Sequence, residues 1–252
     1  MRTLYLDCGM GAAGDMMSAA LLELCDNRDK FIEKINSIGI PYVNITANEC
    51  KKCGISGTAI SVKIHGEEEC TEEKTHTHTH CHSHTHICDV WNLISSLDIP
   101  ETIRKDITDV YTLIADAESR VHGVPADLVH FHEVGAMDAV ADIAMTSMLI
   151  AELAPARIAA SPVHVGAGYV KCAHGILPVP APATAELLRG IPIYGGEIAS
   201  ELCTPTGAAL LKHFVTEFVP LPLMRIEKIG YGMGKKDFDR ANCIRAILGE
   251  CE

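Results

Sequence analysis

One polar stretch limits how this chain can fold. Apart from two cysteines, residues 67–86 are all polar, and clustered glutamates give way to alternating threonine and histidine. Such a segment cannot bury enough apolar surface to become ordered by itself. We therefore predict a disordered His-rich loop over 67–86, and a core built from the residues on either side of it.

The flanking residues alternate short apolar runs with glycine and proline, a pattern typical of strands and helices in succession. We predict an N-terminal α/β unit over 1–66 and a helical, then mixed α/β region over 87–252, together forming one compact domain. The predicted fold class is α/β or α+β, with helices packed on a mixed sheet. Predicted helices cover 16–24, 29–38, 88–97, 101–121, 137–153, 184–188 and 207–218. Predicted strands include 4–6, 42–45, 60–64, 163–165, 169–170, 223–229 and 244–248. Residues 230–237 are expected to form a loop or hairpin connection, and Pro178, Pro180 and Pro182 to interrupt any regular element.

The overall composition excludes several classes of function. The formal net charge is −12 and 48% of the residues are hydrophobic, which argues for a globular protein and against nucleic acid as a partner. No apolar run of about 18 residues is present, which argues against a membrane span. Eleven scattered cysteines without an export signal indicate free thiols in the cytoplasm.

The His-rich loop is the first candidate metal site. Six histidines fall within eleven residues, and imidazole suits nickel, copper and zinc. Binding needs neutral imidazole, so it should weaken below about pH 6. A mobile segment cannot preorganise a reaction, so we predict metal binding without catalysis; incidental binding by a low-complexity insertion is the alternative. The predicted ligands are His76, His78, His80, His82, His84 and His86.

A second candidate site lies at a predicted strand-to-helix junction. His130 and His132 share a face if the chain is extended there, and Asp138 and Asp142 share a face of the following helix. Two imidazoles with these carboxylates, beside Glu133, predict a site for Mn²⁺, Ni²⁺ or Mg²⁺. Two alternatives remain: structural histidines with an N-capping aspartate, and a zinc hydrolase.

A third candidate site is the glycine-rich turn between a predicted strand and helix, bounded by Asp7 and Asp15. Glycines let the backbone approach a ligand, helix N-terminal amides favour an anion, and the two carboxylates are placed to hold a divalent ion. A tight structural turn and an ordinary helix cap explain these features equally well. The predicted cofactor-binding residues here and at later turns are Gly11, Gly14, His174, Thr204 and Thr206.

Taken in chain order, these segments resemble one family, the nickel insertion proteins, or nickel chelatases, that act on pyridinium-3,5-bisthiocarboxylic acid mononucleotide. The resemblance lies in residues 7–16, the His-rich loop, and residues 130–143, 175–184, 201–209 and 230–242. The sequence departs from the family pattern at Ala13 and Ala139, where serine is usual, and at Ala241, where proline is usual.

The resemblance implies a lyase-class enzyme that inserts Ni²⁺ into this nucleotide to make the nickel-pincer cofactor of lactate racemase, using CTP with Mn²⁺ or Mg²⁺. On this reading the catalytic residues are Asp7, Asp15, His130 and Glu133. Longer family members carry the CTP site in a following region, so we expect a C-terminal CTP-binding segment acting in cis or in trans. We also expect a homo-oligomer and a lactate racemase apoenzyme as a partner. The alternative is a non-catalytic cytosolic nickel store or chaperone.

Overall fold

The computed structural model describes residues 1–68, 85–131, 137–172 and 175–251. Its helices are α1 (Gly14–Leu22), α2 (Arg28–Asn36), α3 (Ile87–Ser96), α4 (Glu101–His122), α5 (Met137–Leu153), α6 (Pro182–Leu187) and α7 (Pro205–Phe214). Its strands are β1 (Arg2–Asp7), β2 (Val43–Lys52), β3 (Ile55–Ile64), β4 (Glu67–Glu68), β5 (Thr85–His86), β6 (His130–Phe131), β7 (Arg157–Ala160), β8 (Val163–Gly166), β9 (Tyr169–Cys172), β10 (Gly175–Pro178), β11 (Ile193–Gly195), β12 (Glu217–Phe218), β13 (Met224–Met233) and β14 (Cys243–Cys251).

The main sheet has the strand order β12-β7-β1-β14-β13-β3-β2, with β4 paired to β3. The three strands at one edge, β12, β7 and β1, are parallel to one another. Strand β14 runs antiparallel to both of its neighbours, β1 and β13. The sheet is therefore mixed and receives strands from both sides of the His-rich loop. The predicted fold class, a mixed sheet with packed helices, is confirmed.

Helix α1 is the centre of the core. Eight of its nine residues are buried, because it packs between strand β13 and helix α5. Its middle residues, Ser18, Ala19 and Ala20, are small enough to allow both contacts, and Ser18 Oγ lies 2.9 Å from Thr146 Oγ1 of α5. This packing brings the start of α1 close to the first turns of α5.

Several predicted elements were wrong in extent, including the strands predicted over 42–45 and 60–64, which run as Val43–Lys52 and Ile55–Ile64. The helix predicted over 207–218 ends at Phe214, because Thr216 N and Val219 N donate to carbonyls of β7 and draw this segment into the sheet. Residues 230–233 belong to β13 rather than to a hairpin connection. Pro182 begins α6, where its missing N–H costs nothing, and Pro178 ends an edge strand.

Two other predictions concern the class of protein. No helix within the described ranges is long and apolar enough to cross a bilayer. The nine cysteines in the same ranges are all free thiols, as their scattered positions indicated. The His-rich loop itself, from 69 to 84, lies outside the described residues.

Candidate functional site

The glycine-rich turn after β1 lies against the segment that begins α7. Ala12 N donates to Leu202 O over 3.1 Å, and Thr204 N donates to Ala12 O over 3.0 Å. At Gly11, whose φ is +83°, a Cβ atom would lie 2.0 Å from Leu202 O. Only glycine fits this close approach, so the predicted turn and the predicted Thr204 helix start form one structure.

The starts of α1, α5 and α7 meet behind this turn. A Cβ atom on Gly14 would lie 2.7 Å from Asp142 Oδ2 and 3.0 Å from Thr206 Cγ2. Thr204 caps α7, and its hydroxyl accepts a hydrogen bond from Gly207 N over 3.2 Å. The absence of side-chain bulk at Gly14 thus lets three helix N-termini converge on one small volume.

Three partly buried carboxylates gather at this point, and we call Asp15, Asp138 and Asp142 the carboxylate cluster. Burial raises the pKa of Asp15 and Asp138. It raises the pKa of Asp142 well above its usual value, and the negative charges of Asp15 and Asp138 raise it further. Lys235, in the loop after β13, opposes the rise at all three. The cluster therefore favours protons or a cation.

Two polar atoms at the carboxylate cluster lack a protein partner. Asp142 Oδ1 and the Tyr111 hydroxyl are both inaccessible to solvent and have no hydrogen-bond partner. Burial raises the pKa of Tyr111 well above its usual value, and the charges of Asp138 and Asp142 add to the rise, so the phenol lies near both carboxylates. Unsatisfied buried polar atoms are costly, and an incoming ion or ligand group would satisfy them.

A complete metal site is not formed by these groups alone. Within the ranges that the structure describes, no set of three or more His, Cys, Asp or Glu side chains is placed to hold one metal ion. Several predicted site residues lie outside those ranges: His76, His78, His80, His82, His84, His132, Glu133 and His174.

The backbone brings two of the predicted histidines together. Strand β5 pairs antiparallel with β6, so that His86 is directly opposite His130. The end of the His-rich loop is therefore held beside the segment that leads into α5 and the carboxylate cluster. The sequence had placed these two histidines in separate candidate sites.

Asp7 has different partners from Asp15. Its Oδ2 accepts from Arg245 Nη2 over 2.6 Å, and its Oδ1 accepts from Gly9 N over 3.2 Å. These contacts fix the first half of the glycine-rich turn. They give Asp7 a clear structural task there, whereas Asp15 faces the other carboxylates.

Sequence reasoning missed Tyr111 and Lys235. Tyr111 lies on the buried face of α4, where the sequence pattern predicts an ordinary core residue. Nothing in the neighbouring sequence indicates a functional role for its hydroxyl. Lys235 lies in the glycine-rich segment over 230–237, which the sequence singled out as a loop. Its place near the carboxylate cluster depends on β13 pairing with β14, so residue spacing alone did not reveal it.

We predict that Thr204→Ala lowers the free energy of unfolding by about 1 kcal/mol, because Gly207 N loses its acceptor. Thr204→Ser should retain the wild-type value, since serine caps equally well. Urea unfolding followed by circular dichroism measures both variants. Equal destabilisation by serine and alanine would mean that the methyl group, and not the cap, is what matters.

Residues 4–252 match the family described as nickel insertion protein. The chain belongs to the nickel insertion protein family. The family resemblance carried by the separate sequence blocks is thereby confirmed over almost the whole chain.

Curated relatives of this nickel insertion family member are longer than the chain. A pyridinium-3,5-bisthiocarboxylic acid mononucleotide nickel insertion protein from Clostridium kluyveri is 42% identical over the whole chain, which covers 63% of that relative. The protein of the same description from Geobacillus kaustophilus is 38% identical over 99% of the chain and 60% of the relative. A putative nickel insertion protein from Dictyoglomus thermophilum is also 38% identical, over 61% of its length. No solved structure matches this nickel insertion family member.

Proposed function

We propose that this chain is the metal-handling part of an enzyme that inserts nickel into pyridinium-3,5-bisthiocarboxylic acid mononucleotide. The carboxylate cluster at the glycine-rich turn carries the proposal, because it concentrates negative charge and unpartnered polar atoms in a chain that matches the nickel insertion family. The names of the relatives supply the substrate. Nickel is a substrate in this reaction and is bound only in transit.

The chemistry of the carboxylate cluster suits such transit. A carboxylate with a raised pKa binds a proton more tightly, and a cation that binds there competes with that proton. Oxygen and imidazole ligands are harder than the sulfur atoms of a thiocarboxylate, so nickel gains softer ligands when it moves to the nucleotide. In this scheme Asp15, Asp138 and Asp142 offer oxygen ligands, and the positive charge of Lys235 offsets part of the repulsion between them.

The pairing of β5 with β6 supports a route for nickel within the chain. We propose that the His-rich loop collects nickel and that the segment from His130 to Glu133 passes it to the carboxylate cluster. Histidine ligands at 130 and 132 would complete the donor set that the three carboxylates leave unfinished. The loop is then an accessory and the cluster is the site of transfer.

Other components of the reaction are proposed to lie beyond these residues. We assign the CTP site, with its Mn²⁺ or Mg²⁺, to a C-terminal segment supplied in cis or in trans, and give no side chain of this chain a role toward CTP. The chain spans about three-fifths of the length of the curated relatives it matches, which leaves room for such a segment. A cytoplasmic homo-oligomer that delivers the nickel-pincer cofactor to a lactate racemase apoenzyme completes the proposal.

A non-catalytic nickel store is the second candidate function, and the six-histidine run favours it. We predict that replacing the histidines at 76, 78, 80, 82 and 84 with serine leaves nickel insertion intact at saturating nickel and lowers it when nickel is scarce. The assay is metallation of the bisthiocarboxylate nucleotide with the C-terminal segment and CTP supplied. Serine keeps the segment length and the polar character, so β5 and β6 remain paired.

The result of this replacement separates the two functions. Retained turnover with weaker nickel loading supports an enzyme with an accessory loop. Complete loss of metallation at any nickel concentration, with nucleotide binding unchanged, supports delivery centred on the loop. A wild-type chain that never metallates the nucleotide under these conditions rules out the enzymatic proposal.

A further inference from the structure

Tyr194 forms an exposed aromatic surface near the glycine-rich turn. It lies on β11, its side chain is 44% exposed, and its ring stacks on the His164 imidazole with a centroid distance of 4.7 Å and an interplanar angle of 3°. His164 covers one face of the phenol ring. The opposite face is the part of the ring that remains open for a planar ligand.

His164 ties this stacked pair to the turn. The imidazole is only 2% exposed, and His164 N donates to Cys8 O over 3.2 Å. Its Nδ1 lies 3.2 Å from Gly9 O; because a carbonyl only accepts, Nδ1 carries the hydrogen of this bond. The imidazole is therefore held in place by the backbone, and it holds the phenol ring.

Charged groups of both signs lie near Tyr194. Asp7, at the end of β1, and Arg245, near the beginning of β14, form an ion pair. Arg240 lies 3.8 Å from Glu197, and both side chains are mostly exposed. Partial burial raises the pKa of Tyr194, the negative charge of Asp7 raises it further, and the positive charge of Arg240 opposes this rise. The phenol is therefore near both the Asp7 carboxylate and the Arg240 guanidinium.

The loop between β13 and β14 also adjoins this surface. Lys236 Nζ donates to Ser200 Oγ over 3.0 Å, so the loop that carries Arg240 lies along the segment that follows Tyr194. The pair between Arg240 and Glu197 is long and solvent-exposed, and such pairs contribute little to stability. Arg240 can therefore exchange its carboxylate partner for a phosphate at small cost.

We propose that Tyr194, backed by His164, stacks against the pyridinium ring of the substrate mononucleotide, and that Arg240 binds the phosphate of that nucleotide. The identity of the nucleotide rests on the proposed function. The stacking platform, by which we mean the Tyr194 ring backed by His164, rests on the geometry of these side chains. A cationic ring is attracted to the face of a phenol. Guanidinium is well suited to a phosphate because its parallel N–H groups match two oxygens.

The glycine-rich turn would connect this platform to the carboxylate cluster. Asp7 and Gly9 at its start contact Arg245 and His164. At its end Gly14 lies against Asp142, and Asp15 is itself part of the carboxylate cluster. The ring that receives nickel and the oxygen atoms that release it would then sit at the two ends of one short segment.

The test uses nicotinic acid mononucleotide, a pyridinium mononucleotide without sulfur, titrated into the 252-residue chain by calorimetry. We expect Tyr194→Ala to weaken binding about ten-fold, the loss of one aromatic stacking contact, and Tyr194→Phe to bind as the wild type does. Arg240→Gln should lower the affinity for the mononucleotide. It should leave unchanged the weaker affinity for nicotinamide riboside, which has no phosphate. Tyr42→Ala is the matched control, because Tyr42 is an exposed tyrosine that also stacks on a histidine, His65, at 4.2 Å.

The outcomes distinguish this inference from the proposed function. Undetectable binding of the mononucleotide to the wild-type chain, or equal binding by Tyr194→Ala, overturns the platform even where nickel insertion proceeds. A ten-fold loss in Tyr194→Ala, with Tyr42→Ala unchanged, supports it even where the nucleotide is never metallated. Circular dichroism of each variant excludes unfolding as the cause of lost binding.

Discussion

Asp142→Asn is expected to abolish nickel insertion while raising the free energy of unfolding at pH 7. The two effects have one cause. Burial and the charges of Asp15 and Asp138 disfavour the Asp142 carboxylate in the folded chain, so an uncharged amide of the same shape removes repulsion. The same amide is a poor ligand for nickel. Urea unfolding and the metallation assay measure the two effects on one preparation.

The pH dependence of stability follows from the same carboxylates. Their pKa values are raised in the folded chain, so the folded state holds more protons than the unfolded state once the pH exceeds the unfolded value of about 4. Stability contributed by these groups therefore falls as the pH rises from there through the folded pKa values. The stability of Asp142→Asn should therefore decrease less with rising pH than that of the wild type.

Asp26→Asn is the matched control for this substitution. Asp26 is an exposed carboxylate beside Lys228, whose hydrogen bond and charge lower the Asp26 pKa. Its neutralisation should leave nickel insertion unchanged and should not stabilise the chain. A stabilised Asp142→Asn that still inserts nickel at the wild-type rate would remove Asp142 from the transfer site and leave the electrostatic argument intact.

Gly11→Ala is expected to lower the free energy of unfolding by about 3 to 4 kcal/mol and to eliminate nickel insertion. A methyl group there would be forced to within 2.0 Å of Leu202 O at a φ of +83°, so the turn and the start of α7 would have to separate. Urea unfolding followed by circular dichroism measures the loss.

Gly54 provides an unusually close control. Its φ is +84°, and a Cβ atom there would meet no other atom within 4 Å. Gly54→Ala therefore carries the left-handed backbone strain alone, which costs about 1 to 2 kcal/mol. The difference between the two variants isolates the contact with Leu202. Equal losses would show that the turn does not depend on this close approach.

The sequence predicted those elements whose limits are encoded locally. Helix α5 occupies 137–153 as predicted, since its apolar run is bounded by a glycine before it and a proline after it. The glycine-rich turn was also predicted correctly, because close backbone approach requires glycine whatever lies opposite. Local patterns of this kind need no knowledge of distant residues.

The parts that were missed depend on residues far apart in the chain. Strand β12 forms because its backbone groups meet β7, and nothing within residues 215–219 signals that partner. Asp15 and Asp142 were placed in separate candidate sites, and only the packing of α1 on α5 brings them together. Tyr111 joined them from a third helix. Tertiary packing decides whether charged residues far apart in the sequence come close together. The spacing of residues along the sequence does not reveal this.

The strands at both ends of the His-rich loop fix the two points at which this loop joins the fold. Glu68 is fixed on β3, and Thr85 is fixed on β6 opposite Phe131. A chain extends at most about 3.6 Å per residue, so the histidines at 80, 82 and 84 stay within roughly 18 Å of Thr85 whatever path they take. If these histidines bind nickel as proposed, the ion meets an acceptor on the same chain at an effective concentration of millimolar order. Its hand-over would be a first-order event, with a rate that does not change when the protein is diluted.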